Sequence, residues 1–336
     1  MEALLYAPLE KNAVRCFLCA HRCKIAAGRR GICQVRENRD GRLESLVYGQ
    51  LVAQHVDPIE KKPIFHMLPG SRAYSIATVG CNFKCRFCQN ADIAQMPADH
   101  QGAIVGQTVT PESVVADARA NDCASIAYTY TEPTIFFEFA LDVARLARAA
   151  GLRNIFVTNG YMTAEALDML LPVLDAANVD LKSFSEDFYK ETCGARLEPV
   201  KATLKRMKAG GVLVEITTLL IPGANDDPEE LKALARFVAE DLGPETPWHI
   251  SRFHPTYRMT DRPVTPVETL NRARDIGAAA GLRYIYVGNV PGSDGENTLC
   301  PACGNIVVNR FHYRSRTNLI DTNHCAYCHQ AIDGIF

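Results

Sequence analysis

The chain has 336 residues, 47% hydrophobic and 22% charged, with a formal net charge of −2. This is a globular composition with room for one large core, and it carries no overall electrostatic footprint for nucleic acid or a membrane surface. There is no apolar run of about eighteen residues, and Met1–Val14, interrupted by Glu10 and Lys11, lacks a secretory layout, so a cytoplasmic protein is expected.

Eleven of the thirteen cysteines fall into three groups. Thiols two or three residues apart close no useful disulfide loop but suit metal sites on tight turns, which points to metal binding in a reducing compartment. The first group is Cys16-Phe17-Leu18-Cys19-Ala20-His21-Arg22-Cys23 with Cys33, inside an N-terminal Cys-rich module spanning residues 1–72. Its four thiolates suit zinc or an auxiliary iron–sulfur cluster, and spacing does not separate the two. With four cysteines available, His21 reads as a bystander.

From 73 to 291 apolar, β-rich runs alternate with helical patterns, the signature of βα units and a parallel sheet in an α/β fold. The expected strands are Tyr74–Val79, Ser125–Tyr130, Asn154–Thr158, Val179–Phe184, Val212–Leu220, Trp248–Phe253 and Tyr284–Val287. Thr110-Pro111 and Thr265-Pro266-Val267-Glu268 read as helix N-caps, the second as a capping box. Asp227-Pro228 opens a helix that Gly243-Pro244 stops. After Pro133, Ile135, Phe136, Phe139, Ala140, Val143, Leu146 and Ala147 form an apolar stripe, which places Glu138, Asp142 and Arg145 on the outer face.

Cys81-Asn82-Phe83-Lys84-Cys85-Arg86-Phe87-Cys88 follows the first of these strands with CxxxCxxC spacing. Three thiolates on a 4Fe–4S cluster leave one iron without a protein ligand, open to a small molecule. A zinc knuckle is the plainer alternative.

This motif after the first strand of a βα array resembles the radical S-adenosylmethionine (SAM) superfamily. The resemblance implies a partial (βα)6 TIM-like barrel and a 4Fe–4S cluster on Cys81, Cys85 and Cys88. The cluster would cleave SAM reductively to a 5′-deoxyadenosyl radical that abstracts hydrogen from a substrate, with a low-potential electron donor as partner. Thr129-Tyr130-Thr131-Glu132-Pro133 occupies the place of the family's Gly-Gly-Glu-Pro motif, with Tyr130 and Thr131 where glycines would stand. Thr158-Asn159-Gly160, Asp180-Leu181-Lys182 and Ile221-Pro222-Gly223-Ala224-Asn225-Asp226 resemble strand-end motifs of glycyl-radical-enzyme activating enzymes. By that match Phe87, Glu132, Asn159, Asp180, Lys182 and His254 are the expected SAM contacts. The residues themselves leave simpler readings open: Glu132 as a helix N-terminal carboxylate, Asp180 with Lys182 as an ordinary ion pair, His254 as structural. Cys123 and Cys193 read as small buried residues.

Over the whole chain, including Val56-Asp57-Pro58-Ile59-Glu60-Lys61-Lys62-Pro63, the sequence is similar to the AmmeMemoRadiSam system radical SAM enzyme group, related to pyruvate formate-lyase activating enzyme. That resemblance implies Memo-family and AMME-region-family proteins as partners. It leaves the substrate, protein or small molecule, unassigned.

Beyond Gly292-Ser293-Asp294-Gly295 a C-terminal module, residues 296–336, carries Cys300-Pro301-Ala302-Cys303 and Cys325-Ala326-Tyr327-Cys328. Two CxxC knuckles at this separation read as a zinc-ribbon-like structural site, with rubredoxin-like iron or an auxiliary cluster as alternatives. Between them Arg310–Arg316 is basic and aromatic, read as a solvated ribbon strand in preference to an RNA contact. The competing functional class is a non-catalytic metal-binding module that meets nucleic acid or a protein partner through this ribbon.

Overall fold

The structure, a computed structural model, describes all residues from Met1 to Phe336. Its centre is one eight-stranded sheet: β1 (Ala53–Pro58), β2 (Arg72–Ala77), β3 (Ser125–Tyr128), β4 (Arg153–Thr158), β5 (Ala176–Asp180), β6 (Leu213–Leu220), β7 (Trp248–Arg252) and β8 (Ile285–Gly288). The strands lie side by side in sequence order, β2 to β8 all parallel and β1 antiparallel to β2. Right-handed crossovers between sequential parallel strands put every connecting helix on the same face. The opposite face and the C-terminal strand ends are left to build a site.

Seven parallel strands are present, one more than the six units implied by the resemblance. The fourth expected strand is displaced: it runs Ala176–Asp180 and not Val179–Phe184. Pairing starts early because the Asp175 carboxylate takes the Asn154 amide at 2.8 Å, and it stops after Asp180 because Leu181 N turns back to Val179 O at 3.0 Å. Asp180 and Lys182 therefore stand at the strand end. The edge strand β1 has a mixed polar pattern, GlnHis within AQHVDP, which conceals it among apolar runs.

Helix ends follow local chemistry with one reversal. The helix Pro111–Ala120 has a true capping box, Thr110 with Ser113, whereas Val267–Ala279 has no side-chain cap. Thr265 is used elsewhere, donating to Leu220 O at 2.6 Å and accepting from Phe253 N at 3.0 Å, so it ties β6 to the segment after β7. Asp227 caps Pro228–Phe237 through the amides of Glu229 and Glu230, and the continuing turn ends at Gly243.

Glu138 is not on an outer face. It is 3% exposed, pairs with the equally buried Arg36 and accepts from Leu4 N at 2.7 Å, because the N-terminal module covers that side of the helix Phe137–Ala149. The C-terminal hairpin, Ile306–Phe311 with Arg314–Thr317, is likewise anchored. Arg310 is buried over the Phe65 ring at 4.1 Å and donates to Phe65 O at 2.7 Å, which removes it from the solvated strand face expected for it. No helix is long and apolar enough to cross a membrane.

Candidate active site and metal centres

A cavity of about 560 Å³ opens at the C-terminal ends of the parallel strands. Cys81, Cys85, Phe87, Cys88, Glu132, Asn159, Asp180 and Lys182 all stand in its wall, eight residues that the chain supplies from four separate strand-end segments. His254 does not: β7 ends at Arg252, Phe253 turns into the core, and His254 is exposed outside the cavity. The histidine of that strand that does reach the cavity is His249.

The Cys81–Cys88 loop has no regular structure of its own and is held by its neighbours. Lys84 N and Arg86 N donate to Cys193 O and Thr192 O at 2.8 and 3.1 Å, and Arg86 O accepts from Arg258 N at 2.9 Å. Gln95 Nε2 donates to Phe83 O at 3.0 Å. Cys193 is buried, as read from the sequence, and its thiol also contacts Cys85; that contact, with burial, pushes the Cys85 thiol well above its usual range. Burial does the same for Cys81 and raises Cys88 to about 11. A metal that binds here must displace these protons.

Glu132 is 2% exposed and has four donors. Thr134 N at 3.0 Å, the Thr134 hydroxyl and Thr158 Oγ1 at 2.7 Å all meet one oxygen, Oε1, while Oε2 accepts only from Asn159 N at 2.8 Å. Burial raises its carboxyl above the ordinary range despite these bonds. The residue thus does cap the turn Pro133–Phe136, as the simpler reading has it, and Oε2, with one donor, keeps acceptor capacity. Asn159 braces the cysteine loop, its Nδ2 donating to Asn82 Oδ1 at 2.7 Å.

Asp180 and Lys182 form an ion pair at 2.9 Å. Burial would lower the Lys182 ammonium, but Asp180 and Cys85 hold it above its usual value, and it lies 5.6 Å from the Phe87 ring centre. Tyr130, at the glycine position, has φ +63°, a left-handed conformation costly for a bulky residue. Its phenol bonds Asp57, its ring lies 4.3 Å from the Lys62 ammonium, and its carbonyl accepts from Asn90 Nδ2 at 2.8 Å. Lys62 also donates to Asp57 at 2.7 Å. The Asp57–Lys62 segment thereby acquires a structural reason: it holds a side chain where the backbone would favour glycine.

A buried carboxylate behind the cavity residue His249 was not foreseen from sequence. Glu215 is wholly buried, accepts from Phe65 N and His66 N at 2.8 Å each, and meets His249 Nε2 at 2.6 Å. Burial would raise its carboxyl, but His249 holds it below the usual range. No local motif marks this pair, since its members are 34 residues apart on adjacent strands.

The C-terminal cysteines converge. Cys300 and Cys328 Sγ are 3.5 Å apart, Cys303 and Cys325 Sγ 3.7 Å, and all four sulfurs lie within 4.8 Å of one another. A tetrahedral ion with metal–sulfur bonds of about 2.3 Å needs sulfurs about 3.8 Å apart, so the set fits a single metal ion. Cys16, Cys19, Cys23 and Cys33 instead line a small separate cavity with His21 and Arg36, and their sulfurs do not close to that spacing.

A radical SAM superfamily profile matches residues 75–238, which contain the cysteine loop, Glu132, Asn159, Asp180 and Lys182. The uncharacterized protein MJ0808 of Methanocaldococcus jannaschii is 46% identical over 334 residues, covering 99% of this chain and 98% of its own. The pyruvate formate-lyase-activating enzyme of Streptococcus mutans is 25% identical over 176 residues, 51% of this chain and 66% of that one. Among solved structures, Streptococcus suis SuiB bound to S-adenosylmethionine shares the fold with a TM-score of 0.52 at 14% identity, over 69% of this chain and 53% of SuiB. With a cysteine loop and strand-end cavity arranged in this way, and relatives of this kind, the chain belongs to the radical SAM superfamily.

Proposed function

We propose that the chain is a radical SAM enzyme of the AmmeMemoRadiSam group, with Cys81, Cys85 and Cys88 as ligands of a 4Fe–4S cluster and the 560 Å³ cavity as the seat of SAM and substrate. The observation that carries this reading is the convergence on one cavity of three cysteines and no fourth, beside Glu132 and the Asp180–Lys182 pair. The cluster, when bound, supplies the electron that splits SAM to methionine and a 5′-deoxyadenosyl radical. Lys84, Arg86 and Phe83 backbone bonds fix the cysteine loop, and Glu132 Oε2 offers an acceptor for the SAM ammonium. Lys182, kept cationic by Asp180, and the Phe87 ring supply a charged and an apolar wall for the remainder of the cofactor. The sheet is read as a partial barrel, with the modules 1–72 and 296–336 flanking 73–291, in a cytoplasmic protein. Zinc is proposed for the C-terminal cysteines on their two CxxC knuckles, with a spacing that fits one tetrahedral ion, zinc or iron alike. Memo-family and AMME-region-family proteins are proposed partners on resemblance alone.

The test is Glu132→Gln. Loss of a charge-assisted hydrogen bond costs about 1.5–3 kcal/mol, or roughly ten- to a hundredfold in SAM affinity. Iron content after anaerobic reconstitution should equal that of the parent while 5′-deoxyadenosine formation falls. Parental affinity and rate would show that Glu132 only caps its turn.

A further inference from the structure

The three cysteine groups differ in how far apart the fold holds them. The C-terminal four are at single-ion spacing, while no three thiols elsewhere close to 4.8 Å. The Cys81, Cys85 and Cys88 set is one of the wide ones, and Cys16, Cys19, Cys23 and Cys33 are the other, arranged around an interior cavity. A cube of four irons with sulfides at its corners keeps its thiolates further apart than one ion does. No three of Cys16, Cys19, Cys23 and Cys33 close to single-ion spacing, which favours a cluster over one tetrahedral zinc ion.

A buried ion pair, Arg36 with Glu138, borders the pocket. Arg36 is 1% exposed, and its Nη1 donates to Cys16 Sγ at 3.1 Å, a cation held inside the protein against a ligand sulfur. The pocket also abuts the first cysteine loop. His21 Nε2–H donates to the carbonyl of Asn82, the residue after Cys81, at 2.8 Å, and the His21 ring packs 4.8 Å from Tyr161, which lies 5.2 Å from Phe83. Gly80, just before Cys81, is so close that a Cβ on it would sit 3.1 Å from Cys33 O. Cys19 and Cys23 are only half-buried, on the outer side, whereas Cys81 and Cys88 face the cavity that SAM and substrate would fill.

We propose that Cys16, Cys19, Cys23 and Cys33 hold a second iron–sulfur cluster that serves as the electron port of the enzyme. It takes one electron from an external low-potential one-electron carrier of the flavodoxin or ferredoxin class and passes that electron to the cluster on Cys81, Cys85 and Cys88, returning to its oxidised form. His21 and the Asn82 carbonyl, next to Cys81, give a hydrogen-bonded route between the two. The proposal rests on the reading of Cys81, Cys85 and Cys88 as ligands of a first cluster.

The experiment compares full-length protein reconstituted anaerobically with the Cys81→Ala/Cys85→Ala/Cys88→Ala and Cys19→Ala/Cys23→Ala variants, by iron, sulfide and zinc analysis with circular dichroism as the folding control. Each variant should keep about half of the parental iron, about four irons and four sulfides. With reduced flavodoxin, 5′-deoxyadenosine formation in Cys19→Ala/Cys23→Ala should fall at least about tenfold, and titanium(III) citrate should restore it. A folded triple variant without iron, or one with a second zinc per chain, overturns the second cluster and leaves the first intact. A triple variant that keeps all of the parental iron instead removes the reading of the first site. Unchanged flavodoxin-driven cleavage in Cys19→Ala/Cys23→Ala overturns the electron port. His21→Phe separates wiring from folding: it should retain full iron while slowing flavodoxin-driven cleavage and not titanium-driven cleavage, and equal slowing of both refutes the route.

Discussion

Replacing Glu138 by Gln removes one charge and almost no volume from the contact between the N-terminal module and the helix Phe137–Ala149. In the parent, Glu138 Oε1 pairs with Arg36 and accepts from Leu4 N, while Arg36 Nη2 also donates to Leu4 O at 2.9 Å. Glu138 Oε2 and Arg36 Nε have no other partner. Glutamine can still accept from Leu4 N, so the change isolates the loss of the buried counter-charge. Breaking one side of a buried ion pair costs about 3–5 kcal/mol, because the remaining charge stays desolvated. At an unfolding entropy of about 2.1 cal/mol/K per residue, a chain of 336 residues converts this to a fall in Tm of roughly 4–7 °C. Differential scanning calorimetry under anaerobic conditions measures it, with Glu229→Gln as the control. Glu229 is 79% exposed in a surface pair with Lys232, where substitution changes stability by about 0.5 kcal/mol or less. A Glu138→Gln Tm within about 1 °C of the parent would refute the claim that this pair locks the module to the core.

Three further outcomes follow from named contacts. His66 is buried between Asp333 O and Tyr286 Oη, each 2.6 Å away, and burial lowers its pKa, so the unfolded chain binds more protons below about 6.5 and stability falls as pH drops through that value. The Tm loss from pH 7.5 to about 5.5 should therefore shrink in His66→Gln; an identical loss contradicts the assignment. Cys300→Ala should lower zinc from about one per chain to near none and make the ribbon susceptible to limited proteolysis, with iron unchanged; retained zinc would place it elsewhere. Gly80→Ala, at φ +101° with its Cβ 2.5 Å from Val35 Cγ1, should lose about 1–3 kcal/mol and reconstitute with less iron; a parental Tm and iron content would count against the tight seam between the two cysteine loops.

The parts of this molecule that local spacing encodes were legible in the chain. Apolar runs marked the parallel strands, because strands covered on both faces need few polar positions, and Ser125–Tyr128 is buried at all four. The CxxxCxxC loop and the CxxC knuckles were legible because their cysteines are neighbours in sequence. What pattern cannot carry is the partner that arrives from far away. Glu138 looked solvent-facing because Arg36, which buries it, is 102 residues distant. His254 looked like a strand-end ligand, but the strand stops two residues earlier and the cavity histidine is His249. Cys193 is buried as expected, but its contact with Cys85, made by the turn Tyr189–Cys193, has no local signal. His21, read as a bystander to metal binding, has its Nε2 on Asn82 O, a contact 61 residues away that spacing cannot show.

Electron paramagnetic resonance of the reduced, reconstituted protein with and without SAM tests the central claim most directly. The parent should give an iron–sulfur signal that changes shape when SAM is added, and the Cys81→Ala/Cys85→Ala/Cys88→Ala variant should retain only a signal indifferent to SAM. A SAM-sensitive signal that persisted in that variant would contradict the assignment of the cluster to these three cysteines.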